Sequence, residues 1–306
     1  MLRYDDLQVF VHTSDSGSLS AAARQLEISP AVASAALKRL ESELEVRLFA
    51  RSTRSLRLTP EGDAFLLHAR ASLRSLEEGR RLLQGGKDQI AGVLQLSAPS
   101  DFGRNLLLPW LDEFQARYPQ LSLRLLLGDR VTDLYRQPVD VAIRYGAPAD
   151  SSLVALPLAP DNRRVLCAAP GYLAERGAPR PPDDRREHNC LLYQLGGRVH
   201  DRWAFQRGRR SLSLTVAGAR VCDDADVVRR WALAGKGLVY KSWLDVAEDV
   251  RAGRLRLLLP EWQGEATPMN LLCTHRAQLT RPVTLLRAFV RERCDALLAE
   301  APWTRN

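Results

Sequence analysis

The chain is short of the residues that most enzymes and secreted proteins rely on. Its 306 residues include five cysteines (Cys167, Cys190, Cys222, Cys273, Cys294), widely spread and without a C-x-x-C pair. Zinc ribbons and thioredoxin-like redox centres therefore lack support, and reduced thiols are expected. The five histidines (His12, His68, His188, His200, His275) form no H-E-x-x-H spacing. No G-x-S-x-G elbow, P-loop or dinucleotide fingerprint occurs. Catalysis and a bound cofactor are not expected, nor is a metal. No apolar run approaches the ~20 residues that span a bilayer, and the first residues lack a secretory pattern. A cytoplasmic protein without membrane contact is the expectation. Lysine is scarce too, with four against 40 arginines.

What is present is charge and helix-forming sequence. The net charge is +8, with 26% charged and 45% apolar residues. A basic chain points towards nucleic acid, but the charge is uneven. Residues 1–92 carry 13 basic and 12 acidic side chains, whereas residues 93–306 carry 31 and 24. DNA binding by the N-terminal part would therefore depend on local placement of charge.

The first 90 residues read as helices with one break. Leu7, Phe10 and Val11 open a first helix. After the turn Asp15–Ser18, an alanine-rich segment runs from Leu19 to Leu26, with Ser18 as its cap. Ser29-Pro30 then starts a helix to about Leu44, with Ala33, Leu37, Leu40 and Leu44 on one face. Two helices joined by so short a link describe a helix-turn-helix. Val46–Thr59 carries Arg47, Arg51, Arg54 and Arg57 and no acid, and reads as a basic wing. A long helix follows from Thr59-Pro60. Its Leu66, Ala69, Leu73, Leu76, Arg80 and Leu83 step alternately by 3 and 4, a seam suited to dimerisation. From residue 93 strands alternate with helices (strands at 93–97, 121–127, 139–144, 164–168, 237–240 and 269–274), which predicts an α/β arrangement with mostly parallel sheets.

The string LQVFVHTSDSGSLSAAARQLEISPAVASAALKRLESELEVRLFARSTRSLRLTPEG resembles the LysR-type transcriptional regulators. Phe10, Gly17, Ser18, Ala22, Ala23 and Leu26 carry one family pattern. Ser34, Leu37, Leu40 and Glu41 carry a second, Arg47, Leu48, Phe49 and Arg51 a third, and Leu58, Thr59 and Gly62 a fourth. The chain departs from the family at Glu45, where glycine is usual, and at Ala35, where a larger polar side chain is common. The resemblance implies a winged helix-turn-helix at 1–59, a linker and dimerisation helix at 60–88, and a two-lobed effector-binding domain at 93–306, like periplasmic binding proteins. Lobe one is placed at about 93–162 and 268–306, lobe two at about 163–267.

On this reading Ser29, Ala31, Ser34, Ala35 and Lys38 face a two-fold DNA operator, with Arg51 and Arg54 on its phosphates or minor groove. Leu66, Ala69, Leu73, Leu76 and Leu83 form the seam of a homodimer or homotetramer. A small anionic effector is expected between the lobes at Ser100, Arg144, Lys241 and Ser242, with Tyr193 beside them. RNA polymerase is a further partner the resemblance allows. The competing reading is a solute receptor that does not act on promoters.

Overall fold

The computed structural model describes residues 1–51, 56–84, 90–129, 139–148, 152–179, 188–195 and 197–304. The chain divides into two compact units, Met1–Gln89 and Ile90–Asn306.

The first unit, the head, is built from α1 (Tyr4–Ser16), α2 (Leu19–Gln25) and α3 (Pro30–Glu43), the hairpin β1 (Phe49–Arg51) and β2 (Leu56–Leu58), and the long α4 (Pro60–Gln84). Its core is one cluster. Leu7, Val9 and Phe10 of α1 meet Ala23 of α2, Ala33, Ala36, Leu37 and Leu40 of α3, and Leu48, Phe49, Leu66 and Ala69. The alanines let the short helices approach closely, and Phe10 fills the centre, 5.6 Å from the Phe49 ring. Ser18 and Ser29 cap α2 and α3 by accepting from Ala21 N and Val32 N. Both helices end in the same turn, in which the residue after the cap, Glu27 or Glu45, takes a positive φ of 55° or 57°.

The second unit begins with β3 (Gly92–Ala98), the short α5 (Ser100–Phe102), a π-turn at Gly103–Leu107 and α6 (Leu108–Arg117). Next come β4 (Leu121–Leu127), β5 (Val141–Tyr145), β6 (Val154–Ala159), β7 (Arg164–Ala168), α7 (Pro170–Arg176) and β8 (Cys190–Leu195). Then follow β9 (Arg198–Val199), β10 (Arg202–Arg207), β11 (Arg210–Thr215), β12 (Arg220–Cys222), α8 (Ala225–Leu233) and β13 (Leu238–Ser242). The unit closes with α9 (Trp243–Arg251), β14 (Arg256–Leu258), β15 (Gln263–Gly264), β16 (Met269–Cys273) and α10 (Arg281–Leu298).

Two larger sheets define two lobes. The lobe-one sheet orders β4-β3-β5-β16-β6 and the lobe-two sheet β12-β8-β13-β7-β14. A smaller sheet, β11-β10-β15, packs on lobe two. The expectation of mostly parallel sheets needs correction. Each large sheet has a parallel half (β4-β3-β5; β12-β8-β13), but β16 runs antiparallel to β5 and β6, and β7 antiparallel to β13 and β14. The cause is the double crossing between lobes. The chain leaves lobe one after β6 and returns before β16, so the strands flanking each crossing run against their neighbours. The crossing is stitched by Thr267 N to Asn162 O at 2.8 Å and Arg164 N to Glu265 O at 3.0 Å. The fully buried Asn162 donates its side-chain amide to Thr267 O at 2.8 Å and to Ser242 Oγ at 2.9 Å.

Candidate functional site

In the head, α3 has two distinct faces. Ala33, Ala36, Leu37 and Leu40 are buried, while Ala31, Val32, Ala35 and Lys38 are exposed and Ser34 is half-buried at the margin. Ser29, exposed, spends its hydroxyl on Val32 N at 3.3 Å. The expected reading residues therefore share one open face. Val32, 51% exposed, belongs to that face but was not anticipated, because a lone valine in an alanine-rich helix reads as core. Arg51 lies in β1, paired with Leu56. Arg54 lies outside the described residues. Arg57 of β2 is exposed.

Sequence reasoning also missed what holds α3 against the wing. Glu41, 6% exposed, accepts from Leu48 N at 2.9 Å, Phe49 N at 3.3 Å and Arg47 Nη1 at 2.9 Å. Asp6 of α1, 3% exposed, holds Arg39 in a fork at 2.6 and 3.2 Å. On α4, Thr59 caps the first turn, its hydroxyl accepting from Gly62 N at 2.9 Å. The expected dimer seam needs narrowing. Leu66 and Ala69 are buried in the head's own core and Leu73 packs against it, because α4 lies on α1. Leu76, 58% exposed, remains open to a partner. The Leu83 side chain lies outside the described residues.

In the second unit the effector candidates gather where α5 of lobe one meets α8, β13 and α9 of lobe two. Ser100 N donates to Asp129 Oδ1 at 2.9 Å, and the Ser100 hydroxyl donates to the other oxygen of the same carboxylate. Asp129 also accepts from Ala225 N, the first amide of α8, at 2.7 Å. A lobe-one carboxylate thus sits on a lobe-two helix N-terminus, a place suited to an anion. Asp224 caps the same helix through Asp226 N and Val227 N and pairs with Arg104 at 2.9 Å.

Lys241 is 2% exposed, and its ammonium lies 2.5 Å from Asp101 and 3.2 Å from Asp245. The expectation that it faces an open cleft needs correction, since its charge is spent on the protein's own carboxylates. Burial alone would lower the Lys241 pKa, but those two carboxylates raise it above the ordinary lysine value. Burial pushes the Asp101 carboxyl up to about 7 against the pull of Lys241. Tyr145 donates to Asp245 at 2.5 Å, and Asn105 bridges Asp101 and Asp226 at 2.8 and 2.9 Å. Ser242 is likewise buried and engaged by Asn162. These groups fasten the lobes together.

Arg144 and Tyr193 differ from the rest. The Arg144 guanidinium donates to Ser97 Oγ and Ile143 O, each at 2.7 Å, and pairs with no carboxylate among the described residues. Burial lowers its pKa. Tyr193 is 7% exposed and its hydroxyl has no partner among the described residues. Its ring stacks on His200 at 5.1 Å under the Arg164 guanidinium. A half-buried cation that feels Asp129 but makes no ion pair among the described residues, and a hydroxyl without a partner among them, are what an incoming carboxylate would satisfy. A cavity of about 400 Å³ elsewhere, lined by Trp243, Ala247, Val250, Leu257, Pro260 and Pro302 among others, is bordered by none of the five candidates.

Two family models account for this architecture. The bacterial regulatory helix-turn-helix protein model of the lysR family matches residues 4–63, and the LysR substrate binding domain model matches residues 87–295. The chain belongs to the LysR family. It is a transcriptional regulator with a helix-turn-helix DNA-binding domain and a two-lobed effector-binding domain. Its relatives include the HTH-type transcriptional regulator DmlR of Escherichia coli, 32% identical over 90% of this chain and 88% of the relative. The HTH-type transcriptional activator TtdR of the same species is 32% identical over 92% and 89%. Among solved structures it is similar to CrgA, a LysR-type regulator from Neisseria meningitidis, with 30% identity, a TM-score of 0.59 and coverage of 94% and 98%. LysR-family regulators bind DNA and small effectors and assemble as oligomers. No helix among the described residues is long and apolar enough to cross a membrane.

Proposed function

We propose that this regulator works in the cytoplasm as a dimer or tetramer on a two-fold operator, reads DNA through the open face of α3, and responds to a small anionic effector between its lobes. The observation that carries the reading of DNA is the outward strip Ala31–Val32–Ala35–Lys38, set opposite the buried strip that fixes α3. Methyl groups on this strip match thymine methyls, and Lys38 reaches guanine or phosphate. Ser29 and Ser34 border the strip, and Arg51 and Arg54 supply phosphate or minor-groove contacts. With so few long side chains, DNA shape carries a share of the specificity. Leu76 and Leu83 extend the seam to a second copy, and RNA polymerase is a downstream partner. The chain acts by binding and carries out no catalysis.

The effector reading rests on Arg144, a half-buried cation that makes no ion pair among the described residues. An anionic effector would pair with Arg144, reach the Tyr193 hydroxyl and compete with Asp129 for Ser100 and the α8 N-terminus. Displacing Asp129 would loosen one interlobe tie and shift the balance of lobe arrangements, provided the effector binds one arrangement more tightly. Selection of binding sites from random duplexes, followed by fluorescence anisotropy, tests the first half. Lys38→Ala and Arg51→Ala should weaken binding, and a two-fold motif should emerge; a motif without symmetry would discard the dimeric reading. A thermal-shift screen of small carboxylates tests the second half. Arg144→Ala should abolish the shift of every hit, and an undiminished shift would remove Arg144 from the site.

A further inference from the structure

The excess positive charge of the second unit has a focus outside the lobe cleft. Residues 202–222 contain five arginines (Arg202, Arg207, Arg209, Arg210, Arg220) and no acidic residue. The first four lie on the β10–β11 hairpin and are exposed. None of these four makes an ion pair among the described residues. Arg207 stands directly opposite Arg210 in the register, with Gly208 (φ 56°) and Arg209 making the turn. Like charges directly opposite one another destabilise a hairpin, so within this chain the tip is electrostatically unfavourable and nothing described offsets it.

The hairpin is nevertheless anchored. Trp203 and Phe205 are buried at 1% and 3% exposure, their rings 5.3 and 5.0 Å from Tyr240, and Leu214 is buried beside them. The Tyr240 hydroxyl donates to Ala204 O at 2.5 Å, and Gln206 Nε2 braces the turn at Gly208 O. Alternation then directs Arg202, Ala204, Gln206, Ser211, Ser213 and Thr215 to the opposite face. That face has Arg202, hydroxyls and an amide but no large apolar side chain, while Arg207 and Arg210 stand on the aromatic side, beyond Phe205 and Leu212 at the exposed tip.

We propose that the β10–β11 hairpin is a second, sequence-independent contact for the phosphate backbone of double-stranded DNA. Guanidinium forks pair with phosphate in two-point geometry, and serine, threonine and glutamine are regular phosphate donors. An acidic protein surface fits less well, because protein interfaces centre on buried aromatic or aliphatic anchors, and here the aromatic residues are turned into the lobe. A phosphate backbone requires no such anchor. The inference extends the binding of DNA by this regulator and is independent of the effector reading.

The test uses the full chain with a long mixed-sequence duplex, measuring the binding constant across a salt series. The triple variant Arg207→Ala/Arg209→Ala/Arg210→Ala should lower the log–log salt slope by about 2–3, since each neutralised phosphate contributes about 0.9. The matching triple lysine variant should keep most of the slope, and tryptophan fluorescence should show lobe two intact in both. A wild-type slope in the alanine variant overturns the proposal. So does a variant that loses binding to poly-glutamate while keeping its binding to the duplex. Lys38→Ala in parallel separates the two readings. Loss there with an unaffected triple variant removes the hairpin alone, and the reverse removes the α3 reading alone.

Discussion

Glu45 provides a test of the head's construction. The α3 helix ends in a hydrogen-bonded reversal in which Glu45 N donates to Ser42 O at 3.3 Å and Val46 N to Glu41 O at 3.2 Å. This paired pattern requires a left-handed residue at the turn, normally glycine. Glu45 occupies it at φ 57°. A non-glycine residue there costs roughly 1–2 kcal/mol. Replacing it by glycine relieves that strain but adds unfolded-state entropy of roughly 0.4–1 kcal/mol. Glu45→Gly should therefore stabilise the end of α3 by about 0.5–1 kcal/mol, which slows amide exchange there about two- to fivefold. Glu45→Ala removes the same charge but keeps the strained backbone, so it isolates the conformational part from the unfavourable charge at a helix C-terminus. The measurement is hydrogen exchange by mass spectrometry on the full chain, comparing peptides over residues 37–49. Protection in the glycine variant no greater than in the alanine variant would refute the reasoning. Glu27, with φ 55° and Ile28 N donating to Ala23 O at 3.0 Å, closes α2 in the same way and should respond likewise.

Three further outcomes are expected. Glu41→Ala leaves Leu48 N and Phe49 N without their acceptor. An unsatisfied buried amide costs roughly 1–3 kcal/mol, so circular dichroism should show the head melting well below wild type, while Glu41→Gln, which keeps an acceptor oxygen, should lose less. Gly62→Ala places a Cβ at 2.1 Å from Leu48 O. DNA binding should fall sharply, while the tryptophan fluorescence transition stays in place, since all six tryptophans lie beyond residue 90. Although burial alone would raise it, the Glu265 carboxyl is held below its ordinary value by the hydrogen bond from His200 at 2.8 Å and by Arg164 at 2.6 Å. A depressed carboxylate stabilises the fold fully above the unfolded value of 4.5 and loses that contribution as pH falls through its folded value. Glu265→Gln should therefore destabilise lobe two at neutral pH and converge with wild type in acid; a gap that persists at low pH would deny the carboxylate its role.

The parts legible in the sequence were those with local punctuation. Ser29-Pro30 marked α3, and the alternating leucines of LSLRLLL marked β4 at residues 121–127. The family strings fixed the class of the protein. Some strands were not expected. The strand β6 was not among those expected; it accommodates Pro157 at a sheet edge, where a missing N–H is tolerated. In β10 and β11 the signal was present and unread, with Trp203 and Phe205 facing Leu214 and Leu212 about a glycine turn. The interlobe ties were not legible. Arg104 and Asp224 are 120 residues apart, and no periodicity encodes a contact made by a chain that leaves a lobe and returns. Lys241 reads as a cation at a strand end, and its two carboxylates emerge only from the packing.

The distribution of charge in the head now has a physical account. Several of its acids are spent inside the head. Asp6 and Glu41 are buried and hold Arg39 and Arg47, and Asp15 pairs with Arg70. The near balance of 13 basic and 12 acidic side chains thus includes internal pairs that do not face DNA. The same pairs also take arginines out of circulation. Among the described residues Arg3, Arg24, Lys38 and Arg57 remain exposed and unpaired. Together with Arg51 and Arg54 of the wing, these set the salt dependence that the head can give, since the slope counts the phosphates neutralised. The full chain, if its arginine hairpin also reaches phosphate, should show a slope steeper than the head can supply. Comparing the salt slope of the full chain with that of its hairpin variant therefore measures how binding is shared between a reading surface fixed by buried acids and a clamp that reads no sequence.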